Sequence, residues 1–250
     1  MEKILIAEDS QSIKSALQQM IQSALPFEID LVNNETEAKA YLETHKQTLL
    51  VAIINLNFAN SKEGALVDHF ANSKIPTIVL TSTLDEEIRK RLIQKGVLDY
   101  IPKDSRLSFE YVTRVIRRLH RSQDQGALIV EDSSSARKWI KNMLQRQYQD
   151  VFECSDAETA LTLIEQHKQI NLVITDYIMP GMDGLELTKQ IRKQHTREEI
   201  AIIGLSGLKD DFISARFVKN GANDFLKKPF SYEEFLWRVV STMKPLDLKR

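Results

Sequence analysis

Five side chains in the second half of the chain have the types and order expected of a site for a cation and a phosphoryl group. Glu131 and Asp132 follow the apolar run ALIV, Asp176 follows LVIT, Ser206 follows AIIGL, and Lys228 comes two positions after DFL. Carboxylates that converge in one place repel one another unless a cation lies between them, and Mg²⁺ prefers a few carboxylates plus phosphate oxygens. A lysine and a hydroxyl supply the positive charge and the hydrogen-bond donor that a phosphoryl group needs.

The apolar pattern predicts the scaffold that must bring these side chains together. Short, nearly continuous apolar runs alternate with segments of helical spacing in both halves of the chain. The runs lie at 4–7, 29–32, 50–54, 77–80 and 98–101, then at 127–130, 151–154, 172–175, 201–205 and 224–226. Five strands alternating with five helices predict an α/β fold with a parallel sheet that is covered on both faces. Ligands of such sheets bind beyond the carboxyl ends of the strands, where the polar side chains stand.

The two halves repeat the same pattern with one decisive difference. Asp9 corresponds to Asp132, Thr81 to Ser206 and Lys103 to Lys228, at offsets of 123, 125 and 125 residues. The position of Asp176, however, is taken in the first half by an asparagine, Asn55. The repeat predicts two domains, 1–122 and 126–250, separated by the polar stretch SQDQG.

The first half keeps the frame of the site and lacks its reactive atom. Glu8, Asp9, Thr81 and Lys103 are present, whereas the amide of Asn55 is a poor nucleophile and carries no charge for a cation. Neither Asn57 nor Asp104 is expected to point into the pocket and replace the missing carboxylate. We therefore expect the first domain to be inactive and to bind Mg²⁺ more weakly.

Composition excludes several classes of function. With 34 basic and 35 acidic side chains the net charge is about −1, so no overall field favours nucleic acid or an anionic membrane. A basic helix over 109–121 could suggest nucleic acid, but the neutral charge favours a solvated helix. Only strand-sized apolar runs and one cysteine, Cys154, are present, so we expect a cytoplasmic protein without a membrane span. GxGxxG and P-loop motifs are absent, and no second acid follows Asp176 as haloacid dehalogenase-type phosphatases require.

Taken together, the motifs resemble the receiver domain of two-component response regulators over essentially the whole chain. The second half carries the acid pair Glu131–Asp132, Asp176 in TDYIMPGMDG, Ser206, Phe225 and the pair Lys228–Pro229. The resemblance implies two flavodoxin-like, doubly wound (βα)5 receiver domains in tandem, each with a five-stranded parallel sheet. The first would be a degenerate receiver.

The resemblance also implies a role for each residue. Asp176 would accept a phosphoryl group from a sensor histidine kinase or a histidine phosphotransfer protein. Glu131, Asp132, Asp176 and the main-chain carbonyl of Ile178 would hold Mg²⁺ or Mn²⁺. Ser206 and Lys228 would contact the phosphoryl oxygens. Phe225 would be either the aromatic switch of the family or an ordinary buried aromatic.

The resemblance extends to the backbone and to partners. A cis bond is expected before Pro229 and a trans bond between Lys103 and Asp104, which stands where the family has proline. Tandem receivers that precede GGDEF diguanylate cyclase domains look similar, so we expect this chain to regulate such an output. The alternative is a stand-alone phosphorelay or adaptor protein that acts through protein–protein binding. Receivers often pair through the region equivalent to 210–243, where Trp237 could border a homodimer face.

Overall fold

Each half of the chain forms an all-parallel sheet of five strands that alternate with helices. The computed structural model describes residues 2–58, 63–83, 85–208 and 212–248. The chain divides into two compact units, Met1–His120 and Arg121–Arg250. The elements of the first unit are β1 (Lys3–Ala7), α1 (Gln11–Ala24), β2 (Glu28–Val32), α2 (Glu35–His45), β3 (Leu49–Asn55), α3 (Ala65–Asn72), β4 (Thr77–Thr81), α4 (Glu86–Gln94), β5 (Asp99–Pro102) and α5 (Arg106–Arg121).

The second unit repeats this order of elements. After a 3-10 turn at Ser122–Asp124 come β6 (Gly126–Val130), α6 (Ser134–Leu144), β7 (Asp150–Cys154), α7 (Ala157–Gln166), β8 (Ile170–Asp176), α8 (Gly184–Gln194), β9 (Ala201–Ser206), α9 (Phe212–Lys219), β10 (Asp224–Lys227) and α10 (Tyr232–Leu248). The strand orders are β2-β1-β3-β4-β5 and β7-β6-β8-β9-β10. This architecture confirms the predicted pair of doubly wound, five-stranded parallel sheets.

The central strands are buried on both faces, which explains their continuous apolar sequences. All seven residues of β3 and all seven of β8 are buried, whereas the edge strands β2 and β7 are partly exposed. In a doubly wound sheet the strand order reverses between the first and third strands, and a crevice opens at their carboxyl ends. Ala7 pairs with Ile54 there, and Val130 pairs with Thr175. The acid pair and the residue that ends the third strand therefore meet at this edge.

Most helices of both units begin at a side chain that accepts a hydrogen bond from a free backbone N–H of the first turn. Such a cap satisfies one of the donors that a helix leaves unpaired at its start. The capping residues are Ser10 for α1, Asn34 for α2, Asp85 for α4, Ser133 for α6, Asp156 for α7 and Asp183 for α8. Two of them, Ser10 and Ser133, follow the acid pairs directly, and their backbone N–H groups donate to the carboxylates of Glu8 and Glu131.

Candidate functional site

Three acidic side chains meet at the carboxyl edge of the second sheet. Glu131 is buried, Asp176 lies at the limit of burial, and Asp132 is exposed to solvent. Each offers a carboxylate oxygen, and these three oxygens lie within 4.8 Å of one another. Hard oxygen ligands at this spacing, with one side open to water, fit a Mg²⁺ ion, which retains several of its waters in proteins.

Lys228 links two of the three acids. Its Nζ donates to Glu131 Oε2 at 2.6 Å and to Asp176 Oδ1 at 2.8 Å. The backbone N–H of Lys228 donates to the carbonyl oxygen of Ser206 at 2.8 Å, which extends the pairing of β9 with β10. The following bond, Lys228–Pro229, is cis; among the described residues it is the single cis peptide, so the bond between Lys103 and Asp104 is trans. Ser206 is buried, and its Oγ accepts the N–H of Leu208 at 3.1 Å.

Burial and charge act in opposite directions on the groups of this pocket. Burial raises the pKa of Glu131, and the neighbouring Asp176 raises it further, while Lys228 opposes both. Burial works to lower the pKa of Lys228, but its hydrogen bonds and ion pairs with Asp176 and Glu131 outweigh burial and leave it raised. Lys228 is therefore a fixed positive charge beside the Asp176 carboxylate, where added negative charge would be stabilised.

Two residues that the sequence reading overlooked shape the backbone around Asp176 and the acid pair. A Cβ atom on Gly184 would stand 2.1 Å from the carbonyl oxygen of Asp176, so only glycine fits there. Arg137 donates from Nη1 to the carbonyl oxygen of Glu131 at 2.6 Å and to that of Asp132 at 3.4 Å. Glycine at the start of α8 was visible in the sequence, but the close approach depends on how α8 meets β8.

An aromatic cluster lies beside the pocket. Phe225, which is partly buried, packs against Phe217 of α9 with ring centroids 5.6 Å apart. Phe217 meets Tyr177, the residue after Asp176, edge to face at 6.0 Å. A Cβ atom on Gly204 of β9 would stand 2.4 Å from the Phe217 ring, so the ring rests directly on the strand that leads to Ser206. The cluster thus connects β9 and β10, which end at the pocket, with α9.

The equivalent pocket of the first unit is built around Asn55. Its Nδ2 donates to Asp9 Oδ1 at 2.9 Å, to the carbonyl oxygen of Asn57 at 2.7 Å and, more weakly, to Glu8 Oε1 at 3.4 Å. Its Oδ1 accepts from Lys103 Nζ at 3.0 Å. The carboxylate of the second pocket is thus replaced by an amide that uses both of its polar atoms.

Lys103 contacts the first pocket as Lys228 contacts the second, whereas the hydroxyl of Thr81 bonds to the backbone of Thr83. Lys103 Nζ donates to Glu8 Oε2 at 2.8 Å. Thr81 Oγ1 donates to the carbonyl oxygen of Thr83 at 2.7 Å, and the buried Tyr100 donates to the same oxygen at 2.9 Å. Contacts with Asn55 join Glu8, Asp9 and Lys103, and Thr81 accepts the backbone N–H of Lys103 through its carbonyl oxygen. Neither Asn57 nor Asp104 supplies a carboxylate to this site: Asn57 offers its backbone carbonyl, and the Asp104 carboxylate accepts from Ser108.

The first pocket has weaker electrostatic repulsion than the second. It holds two carboxylates and one ammonium group, against three carboxylates and one ammonium group in the second. Burial raises the pKa of Glu8, which Lys103 opposes. Burial also acts to raise the pKa of Asp9, but the hydrogen bond with Glu8, a backbone N–H and the charge of Lys103 outweigh it and lower that pKa. The acid pair of the first unit is thus stabilised by donors from the protein itself.

Comparison with known proteins identifies the same unit twice. The sequence profile described as response regulator receiver domain matches residues 4–109 and 127–240. The chain is 38% identical over 107 residues to a chemotaxis protein CheY homolog of Campylobacter jejuni, a match that spans 42% of this chain and 81% of that protein. Chemotaxis protein CheY1 of Helicobacter pylori (strain J99) is likewise 38% identical over 107 residues, covering 42% of this chain and 85% of that protein.

Two solved structures resemble the whole chain. A crystal structure described as a two-component system response regulator/GGDEF domain protein has a TM-score of 0.89 and 35% identity, and the match covers 99% of this chain and all of that one. A second structure with a similar description has a TM-score of 0.88, also at 35% identity and with the same coverage. Among the described residues, none of the helices combines the length and apolar character that crossing a bilayer requires.

Proposed function

Because the chain belongs to the response regulator receiver family, we propose that its second domain accepts a phosphoryl group on Asp176. The observation that carries the proposal is the contact of Lys228 Nζ with Asp176 Oδ1 at 2.8 Å, beside two further acids. The donor is a phosphohistidine of a sensor histidine kinase or a histidine phosphotransfer protein. One relative of the chain, 33% identical over 118 residues and matched over 7% of its length, is named hybrid signal transduction histidine kinase D of Dictyostelium discoideum.

In the proposed transfer a carboxylate oxygen of Asp176 attacks the phosphorus atom of the donor. The O–P bond forms as the N–P bond breaks, and the bonding pair returns to the histidine nitrogen. Mg²⁺ or Mn²⁺, held by Glu131, Asp132, Asp176 and the carbonyl of Ile178, would neutralise the carboxylates and the phosphoryl oxygens. Lys228 supplies a fixed ammonium group to the phosphoryl oxygens, and Ser206 supplies a hydroxyl donor. Phe225, in contact with Phe217, would follow Ser206 when the hydroxyl turns toward the phosphoryl group.

The first domain takes no phosphoryl group in this proposal, because Asn55 offers an amide where the nucleophile would be. The domains are assigned to 1–122 and 126–250. The likeness to two structures described as response regulator/GGDEF domain proteins supports control of a diguanylate cyclase output. The chain would act in the cytoplasm. Pairing of two copies through 210–243 is proposed as well: within that segment Trp237 is 52% exposed and the side chain of Phe212 is largely exposed, while 210 and 211 lie outside the described residues.

Phosphorylation is tested by treating the full chain with acetyl phosphate and Mg²⁺ and measuring the intact mass. The expected result is one added phosphoryl group, absent in Asp176→Ala and present in the matched first-domain variant Asn55→Ala. Label found on the first domain, or a chain that stays unlabelled although folded, would refute the assignment.

The output is tested by reading the coding sequence beyond Arg250. A GGDEF-like motif supports control of a cyclase. A stop codon there would instead support the alternative, a stand-alone phosphorelay or adaptor protein that acts by binding partners.

A further inference from the structure

We infer that the side-chain amide of Asn55 takes the place of a divalent cation in the first pocket, so that this pocket is closed to metal and stable without it. The inference rests on the proposed function only where it assigns a cation to the second pocket. Asn55 then does more than remove a nucleophile, because its amide donates hydrogen bonds to the acids where a cation would bind.

The contacts of the amide nitrogen carry the inference. Asn55 Nδ2 faces a carboxylate oxygen of Glu8, one of Asp9 and the carbonyl oxygen of Asn57. In the repeat these three groups correspond to Glu131, Asp132 and the carbonyl of Ile178. A donor nitrogen thus stands among the same ligand atoms that the second pocket would offer to Mg²⁺.

The orientation of the amide follows from its partners. A side-chain amide can be turned over without changing its shape, and only the hydrogen-bond network decides which way it points. In the orientation found, Oδ1 accepts from Lys103 Nζ at 3.0 Å and from the N–H of Asn57 at 3.4 Å. Turning the amide over would place its oxygen against three acceptors and its N–H groups against an ammonium group. The nitrogen must therefore face the acids.

The amide also avoids the charge repulsion that a cation would neutralise. A carboxylate at this position would add a third negative charge to the pocket, as Asp176 does in the second domain. Asn55 instead brings N–H donors to Glu8 and Asp9, while Lys103 neutralises part of their charge. Both acids therefore accept hydrogen bonds from the chain on the side where an ion would bind.

The Thr81 hydroxyl of this pocket likewise forms its hydrogen bonds within the protein. Thr81 Oγ1 uses its proton on the carbonyl oxygen of Thr83, and it accepts the N–H of Thr83 at 3.1 Å. Tyr100, at the position equivalent to Phe225, bonds to the same carbonyl oxygen. The Thr81 hydroxyl therefore has no proton left for a phosphoryl group, which agrees with a pocket that is complete without ligands.

The experiment counts Mn²⁺ bound to the full chain from the loss of the free-ion EPR signal. Wild type should bind one ion, in the second pocket, and Asn55→Asp should bind two, the second with a dissociation constant within about tenfold of the first. Asn72→Asp, the same change at an exposed position of the first unit, is the matched control and should still bind one. Two ions on wild type, or the same number of ions on wild type and on Asn55→Asp, would overturn the inference.

A failure of the proposed function gives a different pattern. If the second pocket binds no ion, wild type binds none and Asn55→Asp binds one, which leaves the inference standing. If Asn55→Asp folds poorly, the melting temperature of Asn55→Ala without metal provides a second test. Asn55→Ala should then melt below wild type, because Glu8 and Asp9 lose their donor, and added Mg²⁺ should recover part of the loss. A melting temperature of Asn55→Ala equal to that of wild type would contradict the role given to the amide.

Discussion

The carbonyl oxygen of Asp176 lies so close to Gly184 that a Cβ atom at position 184 would stand 2.1 Å from it. The N–H of Gly184 also donates to the carbonyl oxygen of Tyr177 at 3.0 Å. The first residue of α8 is therefore packed directly against the backbone that carries the acceptor. Since this contact involves two backbones, it can be relieved only by moving one of them, and the position of Asp176 then changes.

Gly184→Ala should accordingly both slow phosphorylation and lower stability. Overpacking of this kind costs about 1–3 kcal/mol, while a displacement of the nucleophile on the order of 1 Å costs about 100-fold in rate. Labelling by acetyl phosphate and urea unfolding measure the two effects. Gly207→Ala is the matched control, because its Cβ would lie 4.0 Å from the Cβ of Lys228, an ordinary contact. Equal labelling rates for the two variants would contradict the prediction.

Lys228→Ala removes the ammonium group that Glu131 and Asp176 share. Without metal, the buried Glu131 then has no positive charge beside it, and the free energy of unfolding of the domain should fall by about 2–3 kcal/mol. This is at or below the low end of the cost of breaking a buried ion pair, because Lys228 is partly exposed. Mg²⁺ should restore part of this, and labelling should fall about 100-fold. Thermal unfolding with and without Mg²⁺ checks the first two statements.

Lys103→Ala is the matched control for that variant. It breaks the equivalent ion pair with Glu8 in the first unit, so it should lower stability while labelling of Asp176 stays at the wild-type rate. A parallel loss of labelling would mean that the first pocket takes part in the transfer.

Much of the fold and the site could be predicted because the features involved are local. Continuous apolar runs gave strands such as β3 and β8, and a polar residue at the end of such a strand must reach the sheet edge. The acid pairs and the exchange of Asp176 for Asn55 were visible in the same way. The close approaches were not, because the fit of Gly184 to Asp176 and of Gly204 to Phe217 depends on where a helix settles on the sheet. The direction of the Asn55 amide likewise depends on partners from several strands.

Gly204→Ala tests one of these nonlocal contacts. A Cβ at 204 would stand 2.4 Å from the Phe217 ring, so the ring and α9 must shift, at a cost of about 1–3 kcal/mol. The double variant Gly204→Ala/Phe217→Leu should recover part of this loss, because the smaller side chain leaves room for the methyl group. Urea unfolding of the two variants measures it. A double variant no more stable than the single one would show that Phe217 does not rest on this strand.

The thiol of Cys154 should react slowly in the folded protein. Burial raises its pKa from 9.0 to about 11, so at mildly alkaline pH the reactive thiolate is about 100-fold scarcer than in the unfolded chain. Because the folded state keeps the proton that the unfolded state loses, stability should fall as pH rises from about 9 to about 11. Alkylation by iodoacetamide, followed by mass, should accelerate steeply in denaturant. Rapid alkylation of the native protein would contradict the burial of this group.

Asp176→Asn would place in the second pocket the same amide that the first contains. Its nitrogen should face Glu131 and Asp132 while its oxygen stays with Lys228, since only this orientation satisfies all partners. The pocket then holds two carboxylates instead of three and their repulsion is weaker, so the metal-free protein should gain about 1 kcal/mol and Mn²⁺ affinity should drop at least about tenfold. Thermal unfolding and Mn²⁺ titration test this, with Asp150→Asn, the same change at an exposed position, as control. A variant that still gains stability from Mg²⁺ as wild type does would mean that an amide alone cannot replace the ion, and that the loop carbonyl of Asn57 makes the first pocket different.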